Sequence, residues 1–202
     1  MAIEKGSVSI EAQNIMPVIK RWLYSDKDIF LREVVSNSCD AITKYRMLHL
    51  GTEEDMRVTV TVDKEKGEIR IADTGIGMTD EEVRRYINQV AFSGANDFLE
   101  KYKDSGEQII GHFGLGFYSA FMVSGTVEIQ TLSYQEGAKP VHWISSGEEE
   151  YEIEDGDRTE HGTAIIMNIA EDEQEFLQEA TVSQVLLPLY VLLRQAKRQQ
   201  QI

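Results

Sequence analysis

The chain contains few of the residues that mark several common classes of protein. Cys39 is the single cysteine in 202 residues, so an intrachain disulfide is excluded and a reducing compartment is expected. The longest apolar run, Val185 to Leu193, is interrupted by Pro188 and is far shorter than the ~20 residues that a membrane helix needs. The N-terminal segment lacks the long apolar core of a signal peptide. We therefore predict a cytoplasmic protein with no membrane partner.

Positive charge is also scarce. The sequence has 20 Lys and Arg residues against 35 Asp and Glu residues, a formal net charge of −15 that repels phosphate backbones at long range. Nucleic acid is therefore not expected as a partner. The four histidines are widely separated and show no paired metal-ligand spacing, so the sequence gives little support for a zinc site. A hydrophobic fraction of 42% is enough for one domain with a sizeable core.

Four polar residues recur at helical spacing in an otherwise apolar segment, FLREVVSNSCDAITKYR: Glu33, Asn37, Asp40 and Lys44. At roughly 100° per residue, this spacing confines the four side chains to an arc of about 60° on a helix. Such a stripe is either a solvated helix face or a surface that meets a polar ligand, because burial without partners would cost several kcal/mol. This helix alone leaves both interpretations open.

Several short strand-like stretches predict a sheet. Arg57 to Asp63 and Gly67 to Asp73 alternate with period two on either side of KEK, which predicts a β-hairpin. Further strands are expected at residues 126–133, 139–145 and 161–169, with a weaker candidate at 150–154.

Three helices are expected before most of the sheet. The first is predicted at about Gln13 to Tyr24, and the second is expected to begin with Ser25 as its N-cap. Thr79 and Glu82 form a capping-box pattern that starts a third helix, through about Val90. Helices followed by a mainly antiparallel sheet predict an α+β sandwich in a single domain.

Two glycine-rich segments could bind a ligand. In ADTGIGMT, Asp73 ends a strand and could accept a hydrogen bond from an exocyclic amine, and Gly77 would let a flat ring approach the backbone. In IIGHFGLGFYSAFMVS, clustered backbone N–H groups precede a helix predicted from about Phe117 and could bind an anion. An ordinary strand-to-helix turn and a tightly packed helix entry remain the structural alternatives.

Several better-known motifs are missing. No glycine is followed directly by lysine, so G-x-x-x-x-G-K-[ST] is absent. A G-x-G-x-x-G match would require glycine at Asp80 or Ser119. Ser119 also lies outside a G-x-S-x-G pattern. A P-loop, a dinucleotide-binding loop and a hydrolase nucleophile elbow are therefore excluded.

Taken in order, four segments resemble the N-terminal ATPase domain of the ninety-kilodalton heat-shock chaperones, in their bacterial form. They are SDKDIFLREVVSNSCDAITKYR, DTGIGMT, AFSGANDFLEKY and GHFGLGFYSAFMVS, and the resemblance covers about Ile3 to Leu177. The E-x-x-x-N helix and the D-x-G-x-G turn are shared with the wider GHKL superfamily of gyrase-type topoisomerases, mismatch-repair ATPases and sensor histidine kinases. The resemblance implies a two-layer α/β sandwich with helices on one face of the sheet.

The resemblance also implies a role for each matching residue. Glu33 would be the general base that orients water, and Asn37 would bind Mg²⁺ through its amide oxygen. Asp73 would receive the adenine amino group, supported by Gly77 and Thr163. The segment from Ser93 to Gly116 would be a lid over the nucleotide. The remaining residues would line the pocket or meet the phosphates: Asp40, Ala41, Lys44 and Met78 in the first group, and Gly114, Gly116 and Phe117 in the second.

The chain departs from the family pattern at three places. Many members have A-K-S-G where this chain has A-F-S-G, so Phe92 replaces a lysine that reaches the nucleotide. Tyr86 stands where the family usually has a helix-three asparagine, which leaves Asn88 as the candidate for that contact. After Leu177 the match weakens, so we expect an ATPase domain over residues 1–177 and a divergent tail over 178–202.

The function implied is binding and hydrolysis of ATP, with ADP and Mg²⁺ as the other ligands, in a chaperone that closes its lid and dimerises. Clients would bind through domains absent from this chain, which alone is expected to be monomeric. No Lys or Arg here can be assigned to the γ-phosphate, so slow hydrolysis is expected. The alternatives are a DNA-processing ATPase of the same superfamily and a nucleotide-binding module with negligible catalysis.

Overall fold

A computed structural model describes the backbone at residues 27–52, 55–88, 116–147 and 150–199, and the side chains of these ranges through residue 190. The predicted helix at Gln13 to Tyr24 lies outside these ranges, as do Phe92, Gly114 and all of the predicted lid except Gly116. Within the described ranges no helix is long and apolar enough to cross a membrane.

Six strands form one antiparallel sheet in the order β1-β2-β6-β3-β4-β5. The predicted hairpin and all four later strands are present, including the weak candidate at the edge. The strands are β1 (Val58–Asp63), β2 (Glu68–Asp73), β3 (Ser124–Leu132), β4 (Val141–Ser145), β5 (Tyr151–Asp155) and β6 (Gly162–Ile169).

The helices of the described ranges lie before, within and after this sheet. They are α1 (Ile29–Met47), α2 (Asp80–Tyr86) and α3 (Glu179–Gln199), with two 3-10 helices at Gly116–Met122 and Glu171–Leu177.

One predicted helix start is confirmed and another is wrong. The capping box at Thr79 and Glu82 is confirmed, since each side chain bonds the backbone N–H of the other. The prediction of Ser25 as an N-cap is wrong, because α1 has Asp28 at that position. Phe30 N–H and Leu31 N–H bond the carbonyls of Lys27 and Asp28, so tight backbone turns replace a side-chain cap.

Two other predicted helices differ in length or type. α2 has its C-cap at Ile87, before the predicted end at Val90. The helix predicted from Phe117 is a 3-10 helix instead of an α-helix. Ser119 Oγ donates to the Gly116 carbonyl within the turn, and the Tyr118 hydroxyl donates to the Ile87 carbonyl at the end of α2, so one local and one long-range contact hold this tighter turn.

The core lies between α1 and one face of the sheet. Adjacent strands place buried residues in register across that face, as in the row Ile71, Ile165, Ile129. Phe30 and Leu31 of α1 are fully buried against it. The α+β sandwich with helices on one face is therefore confirmed. Val182 of α3 is also buried in this core, although the division at Leu177 remains a prediction.

Candidate functional site

A buried carboxylate ends β2 on the helix-covered face of the sheet. Asp73 is 4% exposed, and its Oδ1 accepts the backbone N–H of Gly75 at 2.8 Å and of Thr163 at 3.3 Å. The Ser38 hydroxyl of α1 adds a hydrogen bond to the same carboxyl group. Asp73 and Thr163 are thus brought together, and both backbone donors meet one oxygen.

Burial dominates the charge state of this carboxylate. It raises the pKa of Asp73 to about 6, although the hydrogen bonds from Gly75 and Thr163, the charge of Arg158 and the Ser38 hydroxyl each act to lower it. The group is ionised at neutral pH and close enough to its pKa to respond to mild acid. A desolvated carboxylate of this kind is a strong acceptor for a ligand N–H group.

Thr131 is a site residue that the sequence analysis missed. Its hydroxyl lies 2.9 Å from the hydroxyl of Thr163 and accepts the backbone N–H of Met78 at 2.9 Å. This one side chain links the end of β6 to the turn that follows β2. The alternation of β3 places Thr131 on the inward face, and this was the signal in the sequence. Its position opposite Thr163 is set by the pairing of β3 with β6.

Gly77 is required for a reason that the sequence analysis did not contain. Its φ is +60°, and a Cβ atom there would overlap the carbonyl of Leu132. The space that a side chain would fill is therefore occupied by β3. Approach of a flat ring to the backbone at Gly77 remains a prediction. Ala41 likewise packs on the turn, where its carbonyl accepts the N–H of Ile76 at 3.2 Å.

The polar stripe of α1 is graded in exposure. Asp40 is buried, Glu33 and Lys44 are half-buried, and Asn37 is exposed. Burial, and then the negative charge of Asp40, raise the pKa of Glu33. Burial lowers the pKa of Lys44, against the opposing charges of Asp40 and Glu82. The stripe is a partly desolvated set of interacting charges and not a freely solvated face.

Gly116, the last glycine of the second glycine-rich segment, lies against the Glu33 side chain. A Cβ atom at Gly116 would overlap the Glu33 carboxylate, so glycine permits this close approach. Phe117 is 9% exposed and packs edge-on against Trp143, with ring centroids 5.7 Å apart. The first 3-10 helix is thereby fixed to the sheet at the end that faces the α1 stripe.

Asn88 has a packing partner in the sheet. Its Oδ1 accepts the indole N–H of Trp143 at 2.9 Å, whereas its Nδ2 is buried without a partner among the described residues. The contact with Trp143 of β4 therefore satisfies the amide oxygen of Asn88 but not its amide nitrogen. A nucleotide contact by Asn88 remains a prediction.

The residues described supply few ligands for a metal ion. No cluster of three or more His, Cys, Asp or Glu side chains suited to a metal occurs among them. Glu33 and Asn37 offer carboxylate and amide oxygens, the donors that Mg²⁺ prefers. Mg²⁺ commonly takes few protein ligands and completes its shell with water and substrate phosphates, so this donor set is compatible with it.

Residues 25–175 match the family model described as "Histidine kinase-, DNA gyrase B-, and HSP90-like ATPase". The chain belongs to this ATPase family. It is 50% identical to the chaperone protein HtpG of Porphyromonas gingivalis strain W83 over 188 residues, which cover 91% of this chain and 28% of that protein. HtpG of Bacteroides fragilis strain 638R is 51% identical over 187 residues, with the same two coverages.

A more distant relative carries the same name. HtpG of Chlorobaculum tepidum is 38% identical over 215 residues, which cover 96% of this chain and 34% of the relative. The chain therefore spans about a third or less of the length of these relatives. Their shared name favours the chaperone branch of the family over the DNA-processing branch.

Proposed function

We propose that this chain is the nucleotide-binding and ATP-hydrolysing part of a molecular chaperone. The observation that carries the proposal is the buried Asp73 carboxylate, fixed at the end of β2 by two backbone donors on one oxygen. Membership in the ATPase family and the name shared by its relatives support the same assignment.

Asp73 recognises adenine in this proposal. Gly75 N–H and Thr163 N–H both bind Oδ1, so Oδ2 is the oxygen that accepts the exocyclic amine of the base. A base with a carbonyl at that position would place two acceptors in contact. Adenine nucleotides are therefore preferred over guanine nucleotides at this buried position.

The other end of the site handles the phosphates. Asn37 holds Mg²⁺, with Glu33 beside it as the base that orients water, and the backbone at Gly116 and Phe117 faces the same end. The chemistry supplied by the ion is neutralisation of phosphate charge during transfer. Lys44 and Asp40 line the intervening wall, where their burial strengthens interactions with a charged ligand.

The wider assignments rest on the relatives and on the sequence. Assistance to client proteins is proposed from the chaperone name of proteins that are 50% and 51% identical. Dimerisation in a longer protein and a cytoplasmic location are proposed from the sequence resemblance and the composition alone. The formal charge of −15 argues against the DNA-processing alternative.

The decisive experiment is calorimetric titration of Asp73→Asn with ADP and Mg²⁺. Because both backbone donors need an oxygen at the Oδ1 position, the new amide must place its NH₂ where Oδ2 was. The NH₂ then faces the adenine amine as donor against donor. We expect at least a 100-fold loss of affinity, about 3 kcal/mol.

Asp63→Asn is the matched control, since it makes the same change at the exposed end of the neighbouring strand β1 and should bind ADP like the parent. Parent affinity in a folded Asp73→Asn protein would remove Asp73 from the site. Tight, salt-sensitive DNA binding by the parent would instead support the DNA-processing alternative.

A further inference from the structure

The loop between β5 and β6 contacts the turn that carries Asp73. The turn comprises residues 73–77, and the loop comprises residues 156–161. Two loop side chains, Arg158 and His161, reach carbonyl oxygens of the turn. The established ATPase family and the function proposed above leave both residues without a role.

Arg158 is directed at the residue that carries the carboxylate. Its Nη2 donates to the Asp73 carbonyl at 3.2 Å and to the His161 carbonyl at 3.4 Å, and its Nε donates to the Glu160 carbonyl at 3.1 Å. The guanidinium is half-buried, and its positive charge acts on the Asp73 carboxylate. One side chain therefore holds both the loop and the end of β2.

His161 holds a second carbonyl of the turn. Its Nδ1 lies 2.8 Å from the Gly75 carbonyl, and because a carbonyl only accepts, Nδ1 carries the proton. The ring stacks on Tyr45 of α1, with centroids 4.4 Å apart and planes 25° apart. Tyr45 is buried, so the imidazole is fixed in position by the helix.

The backbone of the turn shows what these two contacts add. Ile76 is held on both sides by main chain, through its N–H to Ala41 and its carbonyl to the N–H of Tyr134 at 2.8 Å. The Gly75 N–H is occupied by the Asp73 carboxylate itself. The Gly75 N–H belongs to the peptide between Thr74 and Gly75. Arg158 bonds the carbonyl of the preceding peptide and His161 that of the following one, so the two contacts restrict rotation of the peptide that carries this donor.

We propose that His161 and Arg158 are positioning residues for adenine recognition, acting through the Gly75 and Asp73 carbonyls to hold the Asp73 carboxylate in place. This inference rests on the proposed function, because it takes Asp73 as the adenine acceptor. Both side chains bond main-chain carbonyls of the turn, whereas Ser38 of α1 bonds the carboxyl group itself. The loop thus fixes the geometry of the contact between Asp73 and the base, and it has no part in binding the phosphates.

Two substitutions separate the hydrogen bond that His161 donates from its stacking on Tyr45. His161→Phe keeps a ring to stack on Tyr45 and removes the donor. His161→Asn removes the ring and keeps an amide nitrogen at the distance from the backbone that Nδ1 has now. We expect ADP affinity to fall about five- to twentyfold in His161→Phe, as for the loss of one hydrogen bond to a part-buried carbonyl, and to stay within about threefold of the parent in His161→Asn.

A second ligand, the purine riboside 5′-diphosphate that lacks the 6-amino group, shows how much of the affinity depends on the contact between Asp73 and the base. Calorimetry of the folded chain with both ligands should show that His161→Phe weakens ADP but leaves the amino-free ligand nearly unchanged. Arg158→Met should show the same selective loss. Arg57→Met is the matched control, since Arg57 bonds Thr74 through its backbone, and it should bind both ligands like the parent.

Several results would overturn the proposal. Equal losses of affinity for both ligands would show that the loop supports the fold in general. The same conclusion would follow if thermal unfolding showed no folded state for either His161→Phe or Arg158→Met. Greater loss in His161→Asn than in His161→Phe would assign the effect to stacking. If Asp73→Asn abolishes ADP binding while His161→Phe and Arg158→Met bind normally, only this inference fails; if Asp73→Asn binds normally, the proposed function fails first.

Discussion

Two carboxylates of the site, Glu33 and Asp73, have a pKa that burial raises. Their surroundings differ. Asp73 accepts two backbone N–H groups and a serine hydroxyl, whereas no hydrogen bond to Glu33 is present among the described residues and a neighbouring negative charge acts on it. A fixed carboxylate suits recognition of one ligand group, and a less constrained one suits proton transfer to or from water.

The largest expected effect tests the catalytic half of this comparison. Glu33→Ala should slow ATP hydrolysis by about two to four powers of ten, the usual contribution of a positioned base, with ADP affinity unchanged. Single-turnover hydrolysis with protein in excess measures this rate. Glu81→Ala, an exposed carboxylate on α2, is the control and should leave the rate at the parent value. A Glu33→Ala protein that loses ADP binding but hydrolyses what it binds at the parent rate would reverse the two roles.

The next effect concerns stability and falls on Asp73 alone. A carboxyl group whose pKa is raised to about 6 on folding destabilises the folded state at neutral pH, and this penalty disappears as the pH falls towards its ordinary value. Asp73→Asn removes the charge and keeps an oxygen for the two backbone donors. The variant should therefore be more stable than the parent by about 1 to 3 kcal/mol at pH 7 and equal to it near pH 4. Urea unfolding at both pH values measures the difference.

If Asp73→Asn were less stable than the parent at pH 7, the hydrogen bonds of the carboxylate would outweigh the cost of its burial. The same unfolding experiment on Asp63→Asn should show no comparable gain, because Asp63 is not desolvated in this way.

A smaller effect should appear in the pH dependence of binding. Protonation of Asp73 replaces an ionised acceptor with a neutral one, so ADP affinity should fall by up to about tenfold per pH unit below about pH 6. The amino-free diphosphate corrects for titration of the phosphates, because its affinity should change much less over the same range. Parallel pH profiles for the two ligands would show that Asp73 does not titrate in contact with the base.

The smallest effect lies on the other face of the sheet, where His142 sits between Glu154 and Glu128. Burial acts to lower the pKa of His142, but hydrogen bonds to both carboxylates raise it above its ordinary value. The stabilisation is therefore complete below about pH 6 and is lost as the pH rises through the raised pKa. His142→Gln should lose less than about 1 kcal/mol at pH 5.5 and almost nothing at pH 8, by urea unfolding. A larger loss at pH 8 would contradict this sign.

Sequence patterns predicted the sheet well because its signals are local. Alternation identified the β1–β2 hairpin, strand-like stretches identified the later strands, and the capping box at Thr79 and Glu82 specified the start of α2 in detail. Helix starts without a side-chain cap were harder, as Asp28 shows, because tight backbone turns leave no signal in residue type. The 3-10 helix at Gly116–Met122 depends on contacts with α2 and the sheet that no local pattern contains.

The sequence by itself determined which groups the site could use. The spacing of Glu33, Asp40 and Lys44 on one helix face follows from the helical repeat, and the place of Asp73 at a strand end follows from alternation and the glycines after it. These relations hold over a few residues and need no knowledge of the fold.

Only the tertiary structure decided how these groups are supported. Thr131 reaches Met78 across 53 residues, Arg158 reaches Asp73 across 85, and His161 reaches Gly75 across 86. The strand order places β6 between β2 and β3, which brings these distant residues to one end of the sheet. The reason Gly77 must be glycine, the nearby Leu132 carbonyl, also lies in another strand. Burial of Asp73, and hence its raised pKa, exists only once those strands and α1 have packed together.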